Sequence, residues 1–481
     1  MNSNAETPAD SIDLVSAAAA ALASAPRQGA NNPPSARAPA SYWRFLPPVI
    51  RARLDGRPNL RKILANTGWL FADRVFQMFV GLFVGVWVAR YLGPERYGML
   101  NYATAFVALF GAFATLGLDS IVVRDMVSSP ASTDEILGTT FALRFCAGIA
   151  VVALAVVSVS VMRPGESLTR SLVALLSAAT VLHAFDAIDF WFQSQVQSKN
   201  SVIARNVAFS LVALVRVALV LRHAPLIAFA WAALLEVALG MAGLVVAYRL
   251  KRMSLRRWRA TFARARALLT DSWPLMVSGL AIMVYMRIGQ VMLGEMAGDQ
   301  AVGLYSAATR ISELWYFVPM AIVSSVFPSL VETKATDEGL YYARLQKLFS
   351  AVTGLALLVA VPVTLLSAQL VIALFGRSYA AAAPALSIQI WAGLFVSLGV
   401  ARSSWIVAEG LTRFSLMATI AGSITSVLLN LLLIPAYGAS GAAAALLASQ
   451  FVAACLSGVF YRKARKIFVM QAKSLVLMGL R

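Results

Sequence analysis

The chain has 481 residues, 59% hydrophobic and only 13% charged, and its mean hydropathy is +0.74. Soluble domains carry about 25% charged residues, so a water-soluble protein is excluded. In such a chain the net charge of +19 reports loop topology rather than nucleic acid as a partner.

Residues 1–60 read as a disordered, basic, cytoplasmic lead-in. The Ala-rich run 13–26 could form a transient helix, but the Asn, Pro and Ser around it argue for disorder. The start is polar, so no cleavable signal peptide is expected. Arg44, Arg51, Arg53, Arg57, Arg61 and Lys62 form a juxtamembrane cluster that serves topology first and anionic lipid second.

Twelve apolar runs follow, centred on 65–89, 97–117, 136–160, 169–193, 202–221, 226–248, 272–293, 304–328, 348–372, 385–407, 414–434 and 440–460. Each is long enough to cross about 30 Å of hydrocarbon. The runs are continuous rather than alternating, which argues against a barrel. Cys146 and Cys455 lie inside such runs with no CxxC or His neighbour, so neither a disulfide framework nor a zinc site is expected.

The corner after the first run repeats. YLGPERYGMLNYAT (91–104) and MAGDQAVGLYSAAT (296–309) align at an offset of 205, matching Gly93 to Gly298, Gly98 to Gly303, Ala103 to Ala308 and Thr104 to Thr309. Each copy ends one apolar run and starts the next through a glycine-bearing turn, the pattern of a helical hairpin. Its recurrence divides the chain into homologous halves, as in secondary transporters. The expected fold is therefore an all-α polytopic membrane protein with about twelve transmembrane helices in two pseudo-symmetric six-helix bundles around a central cavity. The bundles are 61–250 and 269–462, joined by a linker at 251–268 and followed by a tail at 463–481.

An even number of spans puts both termini on one side. That side also holds the lead-in cluster, 249–266, Lys334, Arg344, Lys347, Arg413 and the basic tail. The opposite connections hold only Arg90, Arg96, Arg163, Arg170, Arg222 and Arg377. The asymmetry places termini and linker in the cytoplasm. Within the linker, Leu255, Trp258 and Phe262 fall at helical spacing while Arg256, Arg257, Arg259, Arg264 and Arg266 crowd elsewhere. This is either an amphipathic segment on the membrane surface or a plain basic loop.

Ionisable residues inside spans are costly and face a bundle interior or a wet cavity. The chain has Asp73, Arg74, Arg144, Asp186, Asp189, Arg205, Arg216, Glu236, Arg287, Arg310, Glu313 and Arg402. Arg74, Arg144, Arg287, Arg310 and Arg402 are the candidates for a cavity that grips an anion, because guanidinium binds phosphate oxygens bidentately. Arg310 and Glu313, three apart, could instead neutralise each other, and Arg205 and Arg90 could snorkel to headgroups. His183, Asp186 and Asp189 share a helix face. With Asp73, the two aspartates are candidates for coupling to H+ or Na+; hydrogen bonding within the bundle is the competing reading, and the set is too sparse for a metal shell. Pro319, Pro328, Pro362 and Pro435 can kink their helices or expose carbonyls.

Four stretches carry a family resemblance: ARYLGPERYGMLNYATAF (89–106), DFWFQSQVQSKNSVIARN (189–206), YMRIGQVMLGEMAGDQAVGLYSAATRISELWYFVP (285–319) and LLLIPAYGASGAAAA (431–445). Over about 62–462 the chain resembles the polysaccharide-transport branch of the multidrug/oligosaccharidyl-lipid/polysaccharide exporter superfamily, above all its O-antigen and exopolysaccharide flippases. The resemblance implies two bundles about a pseudo-twofold axis, a cationic cavity and alternating access. It implies a cargo of undecaprenyl-pyrophosphate-linked oligosaccharide, moved between leaflets of a bacterial inner membrane. Membrane lipids, a polysaccharide polymerase and a chain-length regulator would be its partners. Many relatives carry Asp where this chain has Gly289, so an ion-coupling role for that Asp does not transfer.

No catalytic residue is expected. GxxxxGK[ST] is absent, which argues against ATP hydrolysis. The rivals are a cation-coupled multidrug exporter of the same fold and, less favoured, a membrane glycosyltransferase or polymerase, for which the connections 163–168, 294–301 and 435–439 leave little room.

Overall fold

The structure, a computed structural model, describes the backbone of residues 58–476 and the side chains of 76–476 except Ala335. The expectations for 1–57 and for the side chains of Arg61, Lys62, Asp73 and Arg74 lie outside the described residues. Within them every regular element is a helix.

Nine helical stretches are long and apolar enough to cross a membrane. Three of these reverse at a glycine held at positive φ: Gly93 (φ 73°, ψ 169°), Gly298 (φ 82°, ψ 171°) and Gly438 (φ 52°, ψ −126°). A side chain is strained in that backbone. Divided there, the nine stretches become twelve helices. They are α1 (58–92), α2 (94–128), α3 (Thr133–Met162), α4 (Ser167–Ser194), α5 (Lys199–Leu221), α6 (Leu226–Leu250), α7 (262–297), α8 (299–336), α9 (Glu338–Leu365), α10 (Arg377–Ala408), α11 (412–437) and α12 (439–460). A shorter helix, α13 (Arg465–Leu475), follows.

Several helices are locally broken. The left-handed pair Leu116–Gly117 interrupts α2, 3₁₀ turns His183–Phe185 and Leu314–Tyr316 interrupt α4 and α8, and a π turn, Val452–Leu456, lies in α12. Such breaks release backbone groups, which side chains then satisfy.

Successive helices alternate in direction, so the molecule has a corner end, with the turns at Gly93, 163–166, 222–225, Gly298 and Gly438 and the short helix Ser367–Phe375, and a linker end with the remaining connections. The apolar packing differs between them. At the corner end one core runs through both halves, combining Leu92, Tyr97, Tyr102 and Phe106 with Val291, Val302, Tyr305, Phe375 and Tyr379. Much of it is small: Ala103, Ala307, Ala308, Ala442 and Ala443 are buried, and small residues let membrane helices approach backbone to backbone. At the linker end each half has its own core. Leu118, Ile136, Phe192 and Tyr248 form the first with Leu268 from the foot of α7. Tyr341, Phe349, Trp405 and Ile467 belong to the second. The halves thus share one core at the corners and keep separate cores at the other end, where the foot of α7 crosses to α2: Gly117 lies against the Ser272 carbonyl, and Arg124 pairs with Asp271 at 2.7 Å.

The linker differs from the membrane-surface segment considered above. It forms one 3₁₀ turn, Leu255–Arg257, followed by extended backbone. Leu255 and Trp258 turn into the first half's core. The Trp258 indole N–H donates to the Tyr248 hydroxyl at 3.2 Å, and Arg259 N–H donates to the Asp134 carbonyl at 3.2 Å. Phe262 begins α7 and is 85% exposed. The apolar side chains at helical spacing therefore share no face. At the chain's other end α13 docks on the second half: Ile467 and Met470 are buried, and the Gln471 amide donates to the Ala454 carbonyl at 3.1 Å.

Candidate functional site

The charged residues inside the helices fall into separate groups. In the first half the 3₁₀ turn of α4 sets Asp186 and Asp189 toward α3 and α5. Asp186 accepts from His183 Nδ1 at 3.0 Å and from Arg205 at 3.0 Å, and Asp189 accepts from Arg205 at 2.8 Å. Arg144, from α3, is buried, pairs with Asp119 and lies 3.6 Å from Asp186. Its guanidinium carbon stands 4.7 Å from the centre of the Phe190 ring. Arg205 is thus bound to two carboxylates rather than reaching for headgroups, and Arg144 is spent on partners inside the bundle. Neighbouring helices α5 and α6 hold a second pair, Arg216–Glu236, at 2.8 Å.

In the second half, Glu313 of α8 pairs with Arg287 of α7 at 3.3 Å, both only partly buried. It does not pair with Arg310, the partner three residues away. Arg310 reaches across to α1, where its Nη2 donates to the Gly81 carbonyl at 2.6 Å. The guanidinium fills the notch left by Gly85, whose Cβ, if present, would fall 2.5 Å from Nη2. Arg402 of α10 is 6% exposed and has no ion pair among the described residues. It donates to the Ala453 carbonyl at 2.6 Å and to the Ser457 hydroxyl at 2.9 Å, across the π turn of α12. That turn frees the backbone acceptor a buried cation needs.

Of the five arginines named from sequence, Arg287, partly exposed with a single carboxylate partner, and Arg310, exposed and held by one backbone carbonyl, retain the capacity to meet an anion. Arg144 and Arg402 are buried in packing, Arg310 bridges the halves, and the side chain of Arg74 is not described.

The corner end carries a cluster that the sequence did not single out. Arg163, at the end of α3, is 8% exposed. It donates to Glu295 at 2.7 Å and Asp299 at 3.0 Å on the opposite half, and to Glu166 on its own at 3.1 Å. Tyr102 lies beneath it, with ring centre 3.9 Å from the guanidinium carbon and hydroxyl 2.6 Å from Glu295. Burial opposes the Arg163 charge, but the bonds to Glu295 and Asp299 outweigh it and push its pKa up. Arg90 adds a second tie between halves, donating to the carbonyls of Ala373 and, at 2.6 Å, Leu374. It too is held by protein rather than by headgroups. The Tyr379 hydroxyl donates to the Ala89 carbonyl at 2.8 Å.

Twelve helices in two halves that share a core at one end are the fold of solved transporters of the multidrug/oligosaccharidyl-lipid/polysaccharide superfamily. The fold is shared with lipid II flippase MurJ in an inward closed conformation, at TM-score 0.67 and 15% identity over 84% of this chain and 90% of MurJ. It is shared too with an inward-facing multidrug resistance MATE transporter, at TM-score 0.64 and 16% identity over 84% of this chain and 96% of the other. The chain belongs to the polysaccharide biosynthesis protein family, whose model matches residues 63–334. The probable flippase AglR of Haloferax volcanii is 28% identical over 190 residues, 38% of this chain and 39% of AglR. The match thus spans about two fifths of that relative's length.

Proposed function

We propose that the protein is a flippase for a lipid-linked oligosaccharide in a bacterial inner membrane, with both termini and the linker cytoplasmic. The cargo is a saccharide repeat unit on undecaprenyl pyrophosphate, carried from the cytoplasmic to the periplasmic leaflet for O-antigen or exopolysaccharide assembly. A polymerase and a chain-length regulator would take it onward. The observation that carries this reading is membership of a polysaccharide biosynthesis family combined with one core common to both halves at the corners and two cores at the other end, bridged there by the foot of α7. With the corners periplasmic, such a molecule is closed outward and able to part on the cytoplasmic side, where the lipid-linked unit is made.

A pyrophosphate and a sugar cannot cross hydrocarbon unaided. Arg287, relieved of Glu313 by a stronger anion, can offer a bidentate fork to the diphosphate. Rocking of the halves then exposes the headgroup on the other side, with H+ or Na+ as the coupling ion.

The test is translocation in proteoliposomes of an undecaprenyl-pyrophosphate-linked sugar, read by its accessibility to an impermeant reagent. Protein-dependent translocation that inorganic pyrophosphate inhibits is the expected result. Export of organic cations without movement of the lipid would establish instead the multidrug exporter, a reading that the likeness to the MATE fold keeps in play.

A further inference from the structure

Closure of the corner end gathers an unbalanced set of charges. Arg163 and Glu166 come from the α3–α4 turn, Glu295 from α7, Asp299 from α8, and Tyr102 from α2 supplies the ring and hydroxyl that complete the pocket. Three carboxylates thus face one guanidinium. Glu166 also accepts from the Thr169 hydroxyl at 2.6 Å, so it is held within its own half. Arg170, the next cation along, turns away to the Pro164 carbonyl at 3.0 Å and does not balance the cluster.

When the halves part, Arg163 keeps Glu166, a neutral pair, while Glu295 and Asp299 move into water where two charges are inexpensive. When they meet, both carboxylates lose solvent beside a single cation that is already shared. Asp299 has 11% of its side chain exposed and Glu295 26%.

We propose that closing the corner end binds one proton between Glu295 and Asp299, so that the cluster is a proton-operated latch. In keeping with this, burial raises the pKa of Asp299, which lies in the connection between two apolar spans, and Glu166 and Glu295 add to the rise against the pull of Arg163. The sign follows from linkage. A carboxyl with a higher pKa closed than open favours closure as pH falls through the raised value, and the gain levels off below its ordinary value. Acid on the corner side therefore resets the protein to the state open at the linker end. The inference rests on the alternating-access reading above and not on the identity of the cargo.

The test needs no substrate. Spin labels at Gly165→Cys and Gln300→Cys, both exposed corner positions, are placed in the full chain with Cys146 and Cys455 replaced, and distances are measured in proteoliposomes. The short-distance population should grow as pH falls from about 8 to about 4, by at most about tenfold per pH unit for one proton. Asp299→Asn and Glu295→Gln should each enlarge that population at neutral pH and flatten the response, and the two together should abolish it. Distances independent of pH, or an unchanged response in the double variant, would overturn the proposal. So would the same shift produced by sodium at constant pH. Any of these leaves the flippase reading intact, since translocation is measured separately.

Discussion

Gly98 lies directly against the backbone carbonyl of Asp299: a Cβ there would fall 1.7 Å from that oxygen. Its counterpart repeats the contact in reverse, since a Cβ at Gly303 would fall 1.8 Å from the carbonyl oxygen of Pro94. Because 98 pairs with 303 and 94 with 299 at the same offset of 205, the two contacts exchange under a twofold rotation. The repeated corner is thus the place where the halves meet, and its glycines are there to let two backbones touch.

Alanine at Gly98 is therefore expected to destabilise the joined corners by about 1–3 kcal/mol, as overpacking does. An exposed helical glycine would instead gain about 1 kcal/mol from the same change. Thermal unfolding in detergent reads the difference. Adding Gly303→Ala should cost less than the sum, because the first substitution has already separated the backbones. Gly111→Ala, in a helix and with no atom within 4 Å of its Cβ, is the control that should not destabilise.

This corner was legible in the sequence because a backbone need leaves a glycine, and a duplicated need leaves it twice. The spans were legible because hydrocarbon demands length and apolarity of every crossing segment. Charge pairing was not. Arg310 and Glu313 are neighbours by helical spacing, yet each finds its partner on another helix, Gly81 and Arg287, since tertiary distance overrides local proximity. Arg163 was read only as a sparse charge on the side opposite the termini, because its carboxylates lie 132 and 136 residues away along the chain. The linker misled through spacing: Leu255, Trp258 and Phe262 suit a helix face, but hydrogen bonds to Asp134 and Thr139 hold the backbone extended.

Arg144 and Arg287 should separate packing from cargo. Arg144→Ala opens a gap at a buried position and frees the exposed Asp119, while Asp186 keeps His183 and Arg205; truncations of this kind cost about 0.5–3 kcal/mol, so reduced thermal stability is expected. Arg287→Ala breaks a half-exposed pair worth about 0–1 kcal/mol. It should fold normally and weaken retention of a pyrophosphate lipid by about tenfold to a hundredfold, the worth of a charged hydrogen bond. Lysine at 287 should recover part of this, having charge without the fork. Full retention by Arg287→Ala would remove that residue from the cargo path.

Trp258 fixes the linker to the first half through Tyr248 and the Phe141 ring, 5.7 Å away. Trp258→Ala should release the segment, accelerating tryptic cleavage at Arg256, Arg257 or Arg259 in limited proteolysis. A linker held only by lipid would show that acceleration on delipidation, with or without the tryptophan.

Arg310 distinguishes a tie between halves from a contact to cargo. Its Nη2 binds the Gly81 carbonyl, and the guanidinium occupies the space above Gly85. A methyl at Gly85 would stand 2.5 Å from Nη2 and 2.9 Å from Cζ, whereas one at Gly81 would meet Nη2 at an ordinary 3.7 Å. Gly85→Ala should therefore expel the guanidinium and reproduce Arg310→Ala, while Gly81→Ala should be tolerated. Combining Gly85→Ala with Arg310→Ala should add nothing, because both remove one interaction. The readout is the corner distance distribution, which should lose its short population in each case, since one tie between α1 and α8 has gone. If Arg310 served the cargo instead, Arg310→Ala would weaken retention of the pyrophosphate lipid without moving the corners. Gly85→Ala, which keeps the charge, would then leave retention near that of the unaltered protein.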